Sequence, residues 1–192
     1  MRYDLYAGND QQIVGGQLDM RNGGGPHGGL MGGGRIGYQF NSGETEGLIL
    51  GLHAFSTRID DDIANVTRVR AYGGFAAYET DHWENNAEIY LFDDQDLSGG
   101  TGSHRSHAGF AQFGYRLGWG VPYARYELTS LDQTDAYFAQ LQGGGSYHRV
   151  ALGVRFDVDL KSALKLELAN TRLTDRTRDQ YGEGLVQYAI RF

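Results

Sequence analysis

The chain has 192 residues, 24 acidic and 17 basic side chains and a formal charge of −7, with a pI near 5.3. That balance is the wrong sign for a nucleic-acid binder, so no nucleic-acid partner is expected. Cysteine is absent, which excludes a disulfide framework, and 30 glycines, 13 tyrosines and 9 phenylalanines against 2 prolines favour strands joined by tight turns over long helices.

Mean hydropathy is −0.48, and no run approaches the roughly 20 apolar residues that a membrane-spanning helix needs. Spanning strands escape that test, because lipid on one face and water on the other leave the average hydropathy low. The opening Met1-Arg2-Tyr3-Asp4-Leu5 is neither a charged leader nor an apolar signal segment. Either a signal has been removed or upstream residues are missing.

Period-two alternation bounded by turn residues predicts an all-β chain of about eleven strands. The first four are Met1 to Ala7, Gln12 to Arg21, Met31 to Phe40 and Gly47 to Ser56. In the third, Ile36, Tyr38 and Phe40 oppose Arg35, Gly37 and Gln39. The fourth sets Leu48, Leu50, Leu52 and Ala54 against Ile49, Gly51, His53 and Phe55, so both faces are apolar and its facing stays open. Val66 to Tyr78, Trp83 to Phe92, Ser106 to Leu117 and Val121 to Thr129 follow.

The last three strands alternate most cleanly. Between His148 and Val158, the face of Val150, Leu152, Val154, Phe156 and Val158 opposes Arg149, Ala151, Gly153, Arg155 and Asp157. Leu164, Leu166 and Leu168 then alternate with Lys165, Glu167 and Ala169. Finally Gly184, Val186, Tyr188, Ile190 and Phe192 oppose Leu185, Gln187, Ala189 and Arg191.

Connections alternate in length. Gly8 to Asp10, Asn41 to Glu46, Glu79 to His82, Gly118 to Gly120 and Asp159 to Ser162 are short. Asn22 to Leu30, Thr57 to Asn65, Asp93 to Arg105, Ser130 to Ser146 and Thr171 to Gly182 are longer and polar. Short turns on one side and long loops on the other suit an antiparallel up-and-down transmembrane β-barrel. A soluble β-sandwich or lipocalin-like barrel gives the same alternation with the apolar face turned inward.

The ending from Gly184 to Phe192, with Val186, Tyr188, Ile190 and the terminal Phe192 on one face, resembles the C-terminal assembly signal of Gram-negative outer-membrane β-barrels. The strand Val121-Pro122-Tyr123-Ala124-Arg125-Tyr126-Glu127 and the hairpin Arg149 to Glu167 also look like the last strands of porin-like proteins. The resemblance implies a bacterial outer-membrane location, insertion by the barrel-assembly machinery through the C-terminal strand, contact with outer-membrane lipid, and a passive channel for small solutes without cofactor. Association with further copies of the chain is left open. It also implies a periplasmic C-terminus, which makes every short connection periplasmic. Counted back from there, Met1 to Ala7 starts outside. Eleven strands starting outside break the even-number rule for such barrels, so 1–192 reads as one barrel domain from the C-terminal part of a longer barrel, with an unclosed first edge.

Facing the polar side inward makes Arg35, Arg68, Arg70, Arg116, Arg125, Glu127, Arg149, Arg155, Lys165, Glu167 and Arg191 pore-lining. With Arg2, Arg21, Asp4, Asp19, Glu88 and Asp157 added, the wall carries excess positive charge and would favour anions. The plainer alternative is that these residues fill the interior as cross-strand ion pairs. Tyr38, Phe40, Trp83, Tyr115, Phe156, Tyr188 and Phe192 fall near the short-turn ends of the lipid face, as an interfacial aromatic girdle would.

Enzyme and metal chemistry find little support. Ser146 and His148 sit two apart without a third, orienting group, so no catalytic residue is assigned. Asp60-Asp61-Asp62 lacks the spaced ligands and glycine of a calcium loop, and Arg105 lies between His104 and His107, so no metal site is assigned either. The glycine-rich 22–29 tract precedes no Lys-Ser/Thr and no helix, and is no phosphate cradle.

Overall fold

A computed structural model describes residues 1–9, 11–14, 17–19, 29–61, 66–140, 145–174 and 179–190. The strands are β1 (Arg2–Asn9), β2 (Gln11–Val14), β3 (Gln17–Asp19), β4 (Leu30–Gln39), β5 (Leu48–Asp61), β6 (Val66–Glu79), β7 (Trp83–Asp96), β8 (Ser103–Tyr115), β9 (Val121–Ser130), β10 (Tyr147–Asp157), β11 (Ser162–Leu173) and β12 (Gln180–Ile190). One short helix, α1 (Ala136–Gln140), lies between β9 and β10. The fold is all-β, and its main path β1-β4-β5-β6-β7-β8-β9-β10-β11-β12 is an antiparallel up-and-down barrel wall.

Ten strands, not eleven, build that path. The expected strand Gln12 to Arg21 is instead the small β2–β3 hairpin, whose β2 pairs in parallel with the far end of β5 through Gln11–Ile59 and Gln12–Asp60. β2 spans only four residues, too few for a wall strand, and Ile13 buries its side chain against Ile59 and Val69. β1 therefore pairs directly with β4. Its direction is opposite to that expected: β1 begins at the end where β12 finishes. The odd count that argued for a missing upstream strand is removed with it. Among the described residues no ladder joins β1 to β12.

Side-chain parity is continuous around the wall. A line of paired residues runs Arg2, Gly37, Gly51, Phe75, Glu88, Phe110, Glu127, Arg149, Thr171, Tyr181, one from each strand of the path, all on one face. That is the inner face. Ala151 is 0% and Glu167 4% exposed on it, while on the other face Leu152 is 61%, Leu168 72% and Val186 74% exposed. The apolar side chains thus stand outside and the charged ones inside, the reverse of a soluble protein. The ambiguous strand β5 resolves the same way, with Leu50 and Leu52 outward and Phe55 packed inside.

The outer apolar band has limits. On β7 it runs from Trp83 to Leu91, about 20 Å for that many residues tilted by about 40°. Beyond it, the outer face turns polar, with an Arg70–Asp93 ion pair at 3.8 Å and Arg68 donating to Gln95. At the short-turn end, Trp83 meets Tyr115 edge to face at 4.9 Å, Tyr38 meets Phe40 at 4.9 Å, and Trp119 lies 6.0 Å from Phe156. These rings lie in pairs at that end of the wall; Phe192 lies outside the described residues.

Inward glycines make room for rings on the neighbouring strand. A Cβ at Gly153 would lie 2.2 Å from the Tyr123 hydroxyl, and one at Gly51 would lie 2.1 Å from the Phe75 ring. The wall can curve tightly there because one strand gives up the volume its neighbour fills.

Candidate functional site

The inner face of β7 to β12 carries a connected set of ion pairs. At its centre the Glu167 carboxylate accepts hydrogen bonds from Tyr123 Oη at 2.6 Å, Arg125 Nη2 at 3.0 Å and Arg149 Nη2 at 3.2 Å, with Lys165 Nζ 3.1 Å away. Its side chain is 2% exposed. Arg125 also pairs with Glu127 at 2.7 Å, and Arg149 pairs with Glu183. Tyr123 and Arg125 belong to β9 and Glu167 to β11, so these bonds reach over β10, where Ala151 and Gly153 leave the space.

A second group lies nearer the short-turn end. Arg155 of β10 donates to Glu84 of β7 at 2.8 Å, Arg116 donates to Glu84 at 3.2 Å and also binds Glu79, and Arg155 pairs with Asp157 at 3.0 Å. A polar cavity of about 130 Å³ separates the groups, lined by Glu84, Gln112, Tyr123, Arg155 and Lys165. On the facing side of the interior, Arg35 lies 4.4 Å over the Phe75 ring, Tyr90 donates to Glu88 at 2.8 Å, and His53 Nδ1 is 3.6 Å from Glu88.

Of the expected pore-lining residues, Arg35, Arg116, Arg125, Glu127, Arg149, Arg155, Lys165 and Glu167 face inward. Arg68 and Arg70 do not. They share the outer face with Tyr72, because Val69 and Ala71 between them point in and are fully buried. Arg191, with Arg21, lies outside the described residues. Glu84 and Glu183 were missed, although Glu84 is in step with Glu88 on the same strand and parity alone would have found it. With these carboxylates added and two arginines removed, the described inward carboxylates are at least as many as the inward cations, and the excess positive wall charge is not there.

The other mouth of the wall is filled. Ile13, Ile59 and Val69 form an apolar cluster against which Leu18, Phe55, Phe92 and Tyr137 pack. Phe138 of α1 meets Phe92 edge to face at 5.2 Å. The loop carrying α1 is held down by His104, whose Nδ1 lies 3.0 Å from Asp132 and whose Nε2 lies 2.9 Å from Thr101 Oγ1. Thr134, through its hydroxyl and its backbone N–H, and His104 hold the Asp132 carboxyl down to about 2.

A hydroxyl, an imidazole and a carboxylate in that order match a catalytic triad on paper. The amides that would form an oxyanion hole are already used, since Gly100 and Thr101 N–H both donate to Asp96 at 2.8 Å. The arrangement is a clamp between two loops. Ser146 and His148 part company: Ser146 Oγ accepts from Leu131 N–H at 2.9 Å, while His148 faces outward onto Tyr126 Oη at 2.6 Å.

An apolar groove of about 790 Å³ also runs along the outer face, floored by Gly74, Ala76, Ala87, Gly109 and Ala111. Among the described residues no group of three or more His, Cys, Asp or Glu side chains is placed to hold a metal. No family model matches this sequence, and no curated protein is significantly similar to it.

Proposed function

We propose that this chain forms the wall of an outer-membrane β-barrel and serves as a porin-like channel for small polar solutes. The observation that carries the reading is the inverted burial: a band of exposed leucine, valine and aromatic side chains outside, and half-buried Arg and Lys side chains paired with carboxylates around a buried Glu167 inside. Hydrocarbon tolerates the first, and only a water-accessible or fully paired interior tolerates the second. The near balance of inward charge favours a passage without strong preference between anions and cations, in place of the anion preference expected from sequence. The β2–β3 hairpin and α1, folded into one mouth, support reading this conformation as a closed one.

Two measurements test the proposal. Heat-modifiable migration after detergent extraction tests the barrel, and stepwise conductance in a planar bilayer tests the channel. Heat-modifiability without conductance under any condition would leave a membrane barrel whose interior only supports the wall.

A further inference from the structure

Just beyond the apolar band, two carboxyl groups are buried face to face. Asp94, on the inward side of β7, and Asp135, the residue before α1, are each 1% exposed. Asp135 Oδ1 accepts the Tyr137 N–H at 2.9 Å, but both oxygens of Asp94 and Oδ2 of Asp135 have no hydrogen-bond partner. Among the described residues no cation pairs with them. Arg70 on β6 brings no charge to Asp94, because its side chain is outside with Asp93. His104, directly across from Asp94 on β8, spends both ring nitrogens on Asp132 and Thr101. From α1 the only titratable neighbour is Tyr137, whose phenol is pushed up to about 12 by burial and by these two carboxyls.

Two carboxylates cannot both stay ionised in such a place, since each loses its water and meets a like charge. Burial and the facing Asp135 push the Asp94 carboxyl well above the usual carboxylate range. One proton held between them removes the repulsion and supplies the missing donor. The carboxyls belong to two different elements, a wall strand and the loop that fills the mouth. Their proton therefore governs whether the loop can stay docked.

We propose that Asp94 and Asp135 form a proton-dependent latch that holds α1 in the mouth of the barrel and releases it as pH rises. The docked state binds the proton more tightly than the undocked state does. Docking is therefore fully favoured below the ordinary carboxylate pKa of about 4, and it is lost as pH rises through the raised value. Between those limits one proton shifts the ratio of docked to undocked loop about tenfold per pH unit. That this movement opens a passage rests on the channel reading above; the movement itself does not.

The test is a distance measurement on the full chain in detergent micelles or lipid. Spin labels on Ala139→Cys in α1 and Asp81→Cys in the turn between β6 and β7 report the position of α1 by pulsed electron resonance. The expected result is one narrow distance at pH 5 and a second, broader population that grows toward pH 9. Asp94→Asn and Asp135→Asn, whose neutral amides stand in for the protonated acid, should each keep the narrow distance at every pH. A distance independent of pH in the parent protein, or an unchanged transition in both variants, overturns the latch. So does docking at high pH on addition of calcium and its loss with chelator, which would make the pair a cation site. Conductance measured on the same samples separates the two ideas: movement with no conductance at any pH leaves the latch standing and sinks the channel.

Discussion

Arg155 on β10 and Glu84 on β7 are 71 residues apart in sequence and not on neighbouring strands, yet the guanidinium Nη2 lies 2.8 Å from the Glu84 carboxylate. The bond is a chord across the inside of the curved wall, over β8 and β9. It meets the two strands near their short-turn ends, where Gly114 and Tyr123 pass between. Arg155→Ala should cost about 1 to 2 kcal/mol, since the pair keeps partial solvent access and Arg116 still serves Glu84. A double-mutant cycle with Glu84→Gln, read from urea unfolding in detergent, should show coupling near that size. Additive effects would mean the chord is not formed.

Glu167 is shared by three cations and a phenol, so its removal is expected to hurt more. Glu167→Ala leaves Arg125, Arg149 and Lys165 facing one another in a half-buried site, and should cost about 3 kcal/mol. Glu167→Gln keeps the shape and removes one negative charge. In a conducting barrel it should move the reversal potential under a salt gradient toward anions.

Filling the space beside Tyr123 should break the same centre by a different route. In Gly153→Leu the new side chain takes the place of the Tyr123 ring, which must swing away and lose its 2.6 Å bond to Glu167. Destabilisation of about 2 to 4 kcal/mol is expected from overpacking and the lost bond. Adding Tyr123→Ala should recover part of it; no recovery would show that the ring and residue 153 do not compete.

The wall also has a measurable stagger. The row of paired residues leaving Arg2 arrives at Tyr181, near the start of β12 and roughly ten residues above its far end. Because β1 and β12 run in opposite directions, an offset of that size lets them meet edge to edge at a strand tilt of roughly 35–40°. The register that matches inward with inward faces brings Leu5 opposite Tyr188. Leu5→Cys with Tyr188→Cys should form a disulfide in the folded protein. Failure there, and in the registers pairing Leu5 with Val186 or Ile190, would show another strand between the edges.

The loop clamp has its own pH signature. Asp132 titrates well below an ordinary carboxylate, so its contribution is fully present above about pH 4 and is lost as pH falls toward about 2. Protease protection of the β9–β10 loop should weaken over that window. Asp132→Asn should remove the dependence, and a loop equally protected at pH 2 and pH 6 would contradict the clamp. This acid-side loss is opposite in sign to the alkaline release expected of Asp94 and Asp135, so the two can be told apart.

Alternation along each strand already determined much of this. The residues from Val150 to Phe156, Leu164 to Leu168 and Val186 to Ile190 divide correctly into two faces, because a side-chain period of two is a local property of extended backbone. Loop lengths likewise placed the short turns at one end, except the connection expected from Gly8 to Asp10: β1 runs the other way, so Asn9 pairs with Leu30 at the long-loop end. What local pattern could not supply was the destination of a segment: Gln12 to Arg21 alternates like a wall strand, but Ile13 gains more by packing on Ile59 and Val69 than a short edge could offer. Facing fails at Arg68 and Arg70 for a related reason, since charge ceases to mark the inner face beyond the point where the outer face leaves the apolar band. The partners of Glu167, the chord from Arg155 to Glu84 and the pairing of Asp94 with Asp135 join residues from different strands and loops. Only the curvature of the wall brings them within hydrogen-bond or charge reach, so only the tertiary structure decided them.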